Sequence, residues 1–209
     1  MLTSTWLARW LAPLALIAGI TAATAQTPPK TEIATFAGGC FWCVEEAFEK
    51  VPGVLSAVSG YTGGTVAKPS YEQVMTKTTG HAEAVRVTYD PLKVSYSQLV
   101  DWFWRNIDPF DMRGQFCDKG TPYRSAIFYH NDAQKQVAEA SKQALKVQLN
   151  NPIATEITAA GPFYEAEGYH QDYHKTNTFK YQYYKAGCAR VQRLEQIWGP
   201  AKPPQTLTQ

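Results

Sequence analysis

The sequence is poor in several features that would point to other classes of protein. Four cysteines occur among 209 residues, which is too few for a small disulfide-dense scaffold. No run of basic residues is present and the formal net charge is +2, so nucleic acid is not an expected partner. Internal repeats and low-complexity segments are lacking as well. The length fits one domain, and a monomer is expected.

The strongly apolar stretch of residues 11–20 is too short to span a bilayer comfortably. It follows Arg9 and runs into small residues that end Ala23-Thr24-Ala25. This arrangement is typical of a secretory signal peptide, which we predict for residues 1–25, and an uncleaved membrane anchor is the alternative. The protein is therefore expected to be exported, to the periplasm or another extracytoplasmic compartment. Residues 26–31 are predicted as a flexible lead-in, 32–199 as a single catalytic domain and 200–209 as a flexible tail.

Apolar periodicity predicts strands that alternate with helices. The predicted strands are residues 31–36, 54–61, 82–89, 124–130 and 153–159, and the predicted helices are residues 41–50, 70–76, 97–107 and 132–149. A polar loop is expected at 108–121. The chain from residue 161 is predicted to be mostly loop, with a helix at 190–198. This alternation predicts an α/β or α+β sandwich around one sheet.

Cys40 occupies the most informative position, where a predicted strand ends, Gly38-Gly39 turns the chain and a helix begins. Free amide groups and the helix dipole are expected to favour the thiolate there and to lower the pKa of Cys40. Phe41 and Trp42 follow directly and provide an apolar surface beside the sulfur. These features favour a redox nucleophile over a cysteine that only packs at a helix start.

Cys43 lies one helical turn after Cys40 and completes a C-x-x-C pair. This spacing is compatible with a thioredoxin-like dithiol, with half of a zinc site completed by Cys117 and Cys188, or with an inert apolar residue. His170 and His174 stand four residues apart, but no third ligand is evident. We interpret them as surface or loop histidines and predict no metal. His81 is expected to orient the loop before Glu83.

Glu83 shares its strand parity with Val85, Val87 and Tyr89, which places its carboxyl on the buried face. Burial raises the pKa of a carboxyl group and suits it to donating a proton near neutral pH. The alternative is a buried salt bridge, for which Arg124 is the expected partner.

Several motifs occur in a fixed order along the chain: Gly38-Gly39-Cys40-Phe41-Trp42, Gly60-Tyr61-Thr62-Gly63-Gly64, Tyr71-Glu72-Gln73-Val74, Thr79-Gly80-His81-Ala82-Glu83, Gly120-Thr121-Pro122-Tyr123-Arg124-Ser125, Phe163-Tyr164-Glu165-Ala166-Glu167 and Tyr169-His170-Gln171-Asp172-Tyr173. Together they resemble the A-type peptide methionine sulfoxide reductase family over residues 32–199. The resemblance implies a ferredoxin-like α/β sandwich with a mixed sheet, flanking helices and a long irregular C-terminal segment. It also implies an enzyme that reduces methionine-S-sulfoxide, free or in proteins, as a repair of oxidative damage.

The resemblance further implies a role for individual residues. Cys40 would be the nucleophile and Glu83 the acid, while Tyr71 and Tyr123 would hydrogen-bond the sulfoxide oxygen. Phe41 and Trp42 would hold the substrate methyl group, and Asp118 would be a polar residue of the same site. No cofactor is implied. A thioredoxin-like dithiol protein would recycle the oxidised enzyme.

After the reaction, the sulfenic acid on Cys40 would be resolved by a second thiol. The family commonly uses cysteines near the C-terminus, which favours Cys188. Cys43 and Cys117 are the alternatives, and a relay of two disulfides stays open. Two other classes of protein compete with the reductase: a disulfide oxidoreductase built on Cys40 and Cys43, and a zinc-binding or disulfide-stapled binding protein.

Overall fold

The structure, a computed structural model, describes residues 30–200. The predicted signal peptide and most of the predicted lead-in and tail lie outside the described residues. The strands are β1 Glu32–Gly38, β2 Val54–Thr62, β3 Ala82–Tyr89, β4 Gly114–Gln115, β5 Asp118–Lys119, β6 Ser125–Tyr129, β7 Glu156–Ala159 and β8 Tyr164–Glu165. The helices are α1 Phe41–Glu49, α2 Tyr71–Met75, α3 Tyr96–Arg105, α4 Asp132–Leu149, α5 Tyr173–Thr176, α6 Thr178–Gly187 and α7 Arg190–Trp198.

Six strands form one mixed sheet in the order β7-β6-β1-β3-β2-β8. All neighbours are antiparallel except β6 and β7, which run parallel. The connection between β6 and β7 contains α4, as a crossover between parallel strands requires. The predicted sandwich of strands and helices around one mixed sheet is therefore confirmed.

The two faces of the sheet carry different side chains because successive residues of a strand point in opposite directions. On one face, residues of α1, α3 and α4 pack against Phe36, Val85 and Val87 in the main core. The ring of Phe36 stacks on Phe48 and Phe103, with centroids 4.7 and 5.1 Å apart. The other face carries a small cluster, which consists of Ala37, Ala82, Ala84, Ala126 and Phe128.

The first four helices begin within one residue of the predicted positions. Ser70 and Ser95 cap α2 and α3, and each cap is completed by a glutamine three residues later. The helix α4 has Asn131 as its N-cap and ends at Asn150 in the left-handed conformation. Among residues 30–200, no helix combines the length and the apolar character that crossing a membrane would require.

The C-terminal segment differs from the expectation that it is mostly loop. It contains β8, a 3₁₀ turn at Gly168–His170, and the helices α5 and α6 before the predicted α7. The helix α6 was missed because its sequence shows no apolar stripe, and Tyr181 is its buried residue. Polar contacts with α1 hold it instead: the Tyr181 hydroxyl and the Lys185 ammonium both bond Glu46.

Candidate active site

Cys40 is the N-cap residue of α1, directly after the sharp turn that leaves β1. Gly39 makes this turn with φ of +85°, and a Cβ atom there would lie 2.5 Å from the Cβ of Gln115. The Cys40 carbonyl accepts the Cys43 amide at 3.1 Å. The side chain is 6% exposed, so the sulfur faces protein rather than bulk water.

Glu83 lies on β3 opposite Tyr61 of β2, with its side chain 2% exposed. One carboxylate oxygen accepts the Phe41 backbone amide, at 2.9 Å, at the start of α1. Burial raises the pKa of Glu83 to about 8, although the bond from Phe41 acts in the opposite direction. The carboxyl is therefore mostly protonated at neutral pH, as the parity of β3 predicts. The alternative salt bridge is wrong, because Arg124 pairs with Glu156.

The expected effect of the helix start on Cys40 is wrong in direction. Burial raises the pKa of Cys40 well above its ordinary value, and the neighbouring Cys43 and Glu83 raise it further. The pKa of Cys43 is lowered, first because the Cys40 thiol donates a hydrogen bond to it and then because of the charge on Arg190. The ionisations of the two thiols therefore depend on each other, with the pKa of Cys40 raised and that of Cys43 lowered.

Tyr71 and Tyr123 face the same space as Cys40 and Glu83. Burial raises the pKa of Tyr71 to about 12, with further contributions from the charges of Glu83 and Cys40. Burial also raises the pKa of Tyr123, followed by the charge of Glu83. Both phenols therefore stay protonated at physiological pH and serve as hydrogen-bond donors. The Tyr123 hydroxyl donates to the Met75 sulfur at 3.2 Å.

Phe41 and Trp42 form an aromatic wall beside the sulfur. Phe41 is 1% exposed, and its ring lies 4.9 Å from that of His170. The Trp42 indole is half-buried and stacks on Tyr173 with centroids 3.8 Å apart. Its N–H donates to His170 Nδ1 at 3.2 Å. The wall provides an apolar surface for a small group such as a methyl.

Asp118, at the start of β5, is half-buried and accepts a hydrogen bond from the Tyr184 hydroxyl. Burial raises the pKa of Asp118, and the bond from Tyr184 opposes this effect. The charge of Asp118 in turn contributes to the raised pKa of Glu83. The structure therefore places Asp118 close to the cluster of Cys40, Glu83 and the tyrosines.

The four cysteines fall into two pairs. A disulfide joins Cys117 to Cys188, with Cα atoms 4.8 Å apart, whereas Cys40 and Cys43 are free and buried. Cys188, which the resemblance favours as the thiol that resolves Cys40 during turnover, is bonded to Cys117 in this state. The zinc hypothesis also loses support, because the sulfurs of Cys117 and Cys188 are bonded to each other rather than available as thiolates.

Three residues of the site were not identified from the sequence. His170 was interpreted as a surface or loop residue, but its ring is 2% exposed and contacts Phe41, Trp42 and Tyr71. Glu167 accepts the Tyr61 hydroxyl and the Tyr71 amide, each at 2.8 Å, and so links β2 to α2. Tyr184 is the third of these residues. It lies on α6 one turn before Cys188, so a sequence signal for that helix would have pointed to it.

Two other histidines, His81 and His174, have structural roles. His81 is buried, accepts the Gly64 amide at 3.1 Å and contacts the Val66 carbonyl at 2.7 Å, so it fixes the loop after β2. His174 lies on α5, and its Nε2 is 3.0 Å from a carboxylate oxygen of Glu49. His170 lies in the preceding 3₁₀ turn. The two histidines therefore do not share one helix face.

Comparisons with known proteins agree with this geometry. The sequence model of the family described as "Peptide methionine sulfoxide reductase" matches residues 32–202. The peptide methionine sulfoxide reductase MsrA of Bacillus subtilis is 53% identical over 172 residues, which cover 81% of this chain and 97% of that protein. MsrA 2 of Caulobacter vibrioides is 51% identical over 178 residues, which cover 85% of this chain and 90% of that protein.

Solved structures give the same result. Mxr1 of Saccharomyces cerevisiae in its reduced form superposes with a TM-score of 0.69 at 35% identity, over 73% of this chain and 88% of that chain. Methionine sulfoxide reductase A of Corynebacterium diphtheriae gives 0.65 at 34% identity, over 73% and 77%. Mxr1 in complex with Trx2 gives 0.51 at 26% identity, over 70% and 87%. The chain belongs to the peptide methionine sulfoxide reductase family.

Proposed function

We propose that this protein reduces methionine-S-sulfoxide, free or in proteins, to methionine through the Cys40 sulfur. The observation that carries the proposal is the buried Glu83 carboxyl, whose pKa is raised to about 8 beside Cys40. A sulfoxide oxygen is a poor leaving group until it is protonated or strongly hydrogen-bonded. A carboxylic acid that is neutral at pH 7 supplies the proton that the reaction needs.

The proposed reaction begins when the substrate methyl group packs against Phe41 and Trp42. The sulfoxide oxygen accepts hydrogen bonds from Tyr71 and Tyr123 and a proton from Glu83. The Cys40 proton passes to Cys43, and the resulting Cys40 thiolate attacks the substrate sulfur. The substrate S–O bond then breaks and its protonated oxygen passes to the Cys40 sulfur as a sulfenic acid, so the Cys40 sulfur is oxidised by two electrons and the substrate leaves as methionine, reduced by two electrons.

A thiol must then remove the sulfenic acid, and Cys43 is the thiol in contact with Cys40. We propose that Cys43 condenses with the sulfenic acid, which forms a Cys40–Cys43 disulfide and releases water. Cys188, the thiol that the sequence favours for this step, is the alternative to Cys43. It becomes available only when its bond to Cys117 is reduced. A thioredoxin-like dithiol protein then reduces the enzyme by exchange, and the complex of the related Mxr1 with Trx2 supports this choice of reductant.

We also propose that the protein is exported. The charged start, the apolar stretch at residues 11–20 and the small residues up to Ala25 support a cleaved leader. A Cys117–Cys188 disulfide is compatible with an oxidising compartment. N-terminal sequencing of the protein from separated cell fractions tests this proposal. An N-terminus at Gln26 is expected, and an intact N-terminus on protein from the cytosol would contradict it.

The activity is tested with the reduced protein and no other reductant. Each epimer of methionine sulfoxide is mixed with enzyme, and the methionine formed per enzyme is counted. At least one equivalent is expected from the S epimer and none from the R epimer, with complete loss in Cys40→Ser. No methionine from the S epimer would refute the proposal. Mass mapping of the disulfide left behind then identifies the resolving cysteine.

The free Cys40–Cys43 pair at a helix start also fits a disulfide oxidoreductase. The two activities differ in what they require of Glu83, because disulfide exchange involves no sulfoxide oxygen to protonate. Turnover of a disulfide substrate that Cys43→Ser abolishes and Glu83→Gln leaves unchanged would favour the oxidoreductase. Loss of methionine formation in Glu83→Gln favours the reductase.

A further inference from the structure

Tyr184 packs against the cluster that contains Cys40, although no sequence motif of the site contains it. The residue lies on α6, and its side chain packs with Cys40, Cys43 and Tyr181. Its ring meets the Trp42 indole edge-on, with centroids 5.9 Å apart at 84°. Hydrogen bonding by its hydroxyl lowers the pKa of Cys40, against the effect of burial. Tyr184 therefore brings a side chain of α6 against the cluster of α1 residues that contains the nucleophile.

Two links hold Tyr184 in this position. Its hydroxyl donates to the Asp118 carboxylate. The Cys117–Cys188 disulfide joins the residue before Asp118 to the residue four positions after Tyr184, which is about one turn further along the chain. The hairpin of β4 and β5 is thus connected to α6 and to the residue that follows it at two points, which are adjacent in the hairpin and four residues apart at α6.

We propose that Tyr184 is a further catalytic residue, whose hydroxyl hydrogen-bonds the Cys40 thiolate and stabilises it for attack on the sulfoxide. Asp118 is a positioning residue that acts through Tyr184. The hydroxyl carries a single proton, which points to Asp118 while Cys40 is a thiol and turns to the sulfur when Cys40 ionises. This role rests on the proposed function, in which the Cys40 thiolate is the attacking group.

The position of Cys40 explains why such a donor is needed. Burial leaves the sulfur with little access to water, so the thiolate depends on protein donors for stabilisation. Burial also raises the pKa of Tyr184 far above its usual value, followed by the charge of Cys40, so the hydroxyl stays protonated. The titratable groups that face Cys40 are Cys43 from α1, Glu83 from β3, Tyr184 from α6, and the two tyrosines Tyr71 and Tyr123.

The first experiment measures the ionisation of Cys40 without any sulfoxide. In a Cys43→Ser background with the Cys117–Cys188 disulfide intact, Cys40 is the one free thiol, and its alkylation by iodoacetamide is followed against pH. The midpoint is expected to rise by about one to two pH units in Tyr184→Phe, the effect of removing a hydrogen bond to a charged group. Tyr183→Phe is the matched control, because its side chain is 79% exposed. Equal midpoints in the two variants would overturn the proposal.

A second variant keeps the test decisive if Tyr184→Phe does not fold. Tyr184→3-fluorotyrosine preserves the shape of the side chain and makes its hydroxyl a stronger donor. The midpoint of Cys40 alkylation is then expected to fall relative to the parent. An unchanged midpoint would contradict the role of the hydroxyl. The midpoint, unlike the absolute rate, does not report how easily the reagent reaches the sulfur.

The third experiment uses single turnover with the S epimer and otherwise unaltered enzyme. Tyr184→Phe is expected to form methionine about 10- to 100-fold more slowly than Tyr183→Phe. Asp118→Asn should change the rate more in the parent than in a Tyr184→Phe background, where only its effect on the pKa of Glu83 remains, and an equal change in both would refute the positioning role. If the parent forms no methionine, the proposed function fails, while the alkylation midpoints still decide whether Tyr184 stabilises the thiolate.

Discussion

Replacement of Glu83 by glutamine separates the function of this residue from its cost to stability. The side chain keeps its shape, and its amide oxygen can still accept the Phe41 amide. The variant has no proton to give to a sulfoxide, so methionine formation should slow by about 10²- to 10⁴-fold, the usual contribution of a general acid. The parent should lose activity as the pH rises through about 8, where Glu83 ionises.

The same change should stabilise the fold near neutral pH. The pKa of Glu83 is raised from 4.5 to about 8 by burial. Because the pKa of Glu83 is higher in the folded protein than in the unfolded chain, its contribution to the stability of the fold is complete below pH 4.5. This contribution is lost as the pH rises through about 8. The loss is about 1.4 kcal/mol per pH unit within that window. Glutamine does not titrate, so its advantage should grow by about 3 kcal/mol from pH 5 to pH 7.

Urea unfolding at pH 5 and pH 7 measures this difference. Glu139→Gln is the matched control, because Glu139 is exposed on α4 and pairs with Lys135 at 4.0 Å. The control should show the same difference from the parent at both pH values. If Glu83→Gln behaves like the control, the Glu83 carboxyl is ionised in the folded protein and the argument for a general acid is refuted.

Three further changes test the framework of the site. Gly39→Ala should destabilise the protein by more than about 1 kcal/mol in urea unfolding, because φ is positive and the new Cβ would lie 2.5 Å from the Gln115 Cβ; a neutral effect would contradict the assigned turn. Phe36→Ala should cost about 3–5 kcal/mol by the same assay, since the ring is fully buried between two others, and a loss below about 1 kcal/mol would be inconsistent with that packing. Removing the disulfide with Cys117→Ser and Cys188→Ser together should lower the free energy of unfolding by up to about 4 kcal/mol, because the bond closes a loop across 71 residues. The melting temperature should fall accordingly. An unchanged melting temperature would show that the bond does not form.

The local features of the site could be predicted because they depend on neighbouring residues. Glycines between an apolar strand and an amphipathic helix place Cys40 at a helix start whatever surrounds it. The alternation of β3 puts Glu83 on the same face as Val85 and Val87, and burial of that face then raises its pKa. Both predictions rest on periods of two and 3.6 residues that the sequence displays directly.

Other properties depend on residues far apart in the chain. Burial, followed by Cys43 and Glu83, raises the pKa of Cys40, which the helix start alone is expected to lower. Cys188 bonds Cys117 rather than Cys40 because α6 ends beside the hairpin of β4 and β5. That helix lacks an apolar stripe and forms through contacts with α1, so its Tyr184 could not be assigned to the site beforehand. The sequence alone determined which residues could react, through local periodicity and turns. The tertiary structure decided which groups surround the sulfur, because desolvation and hydrogen bonding are set by packing between distant segments.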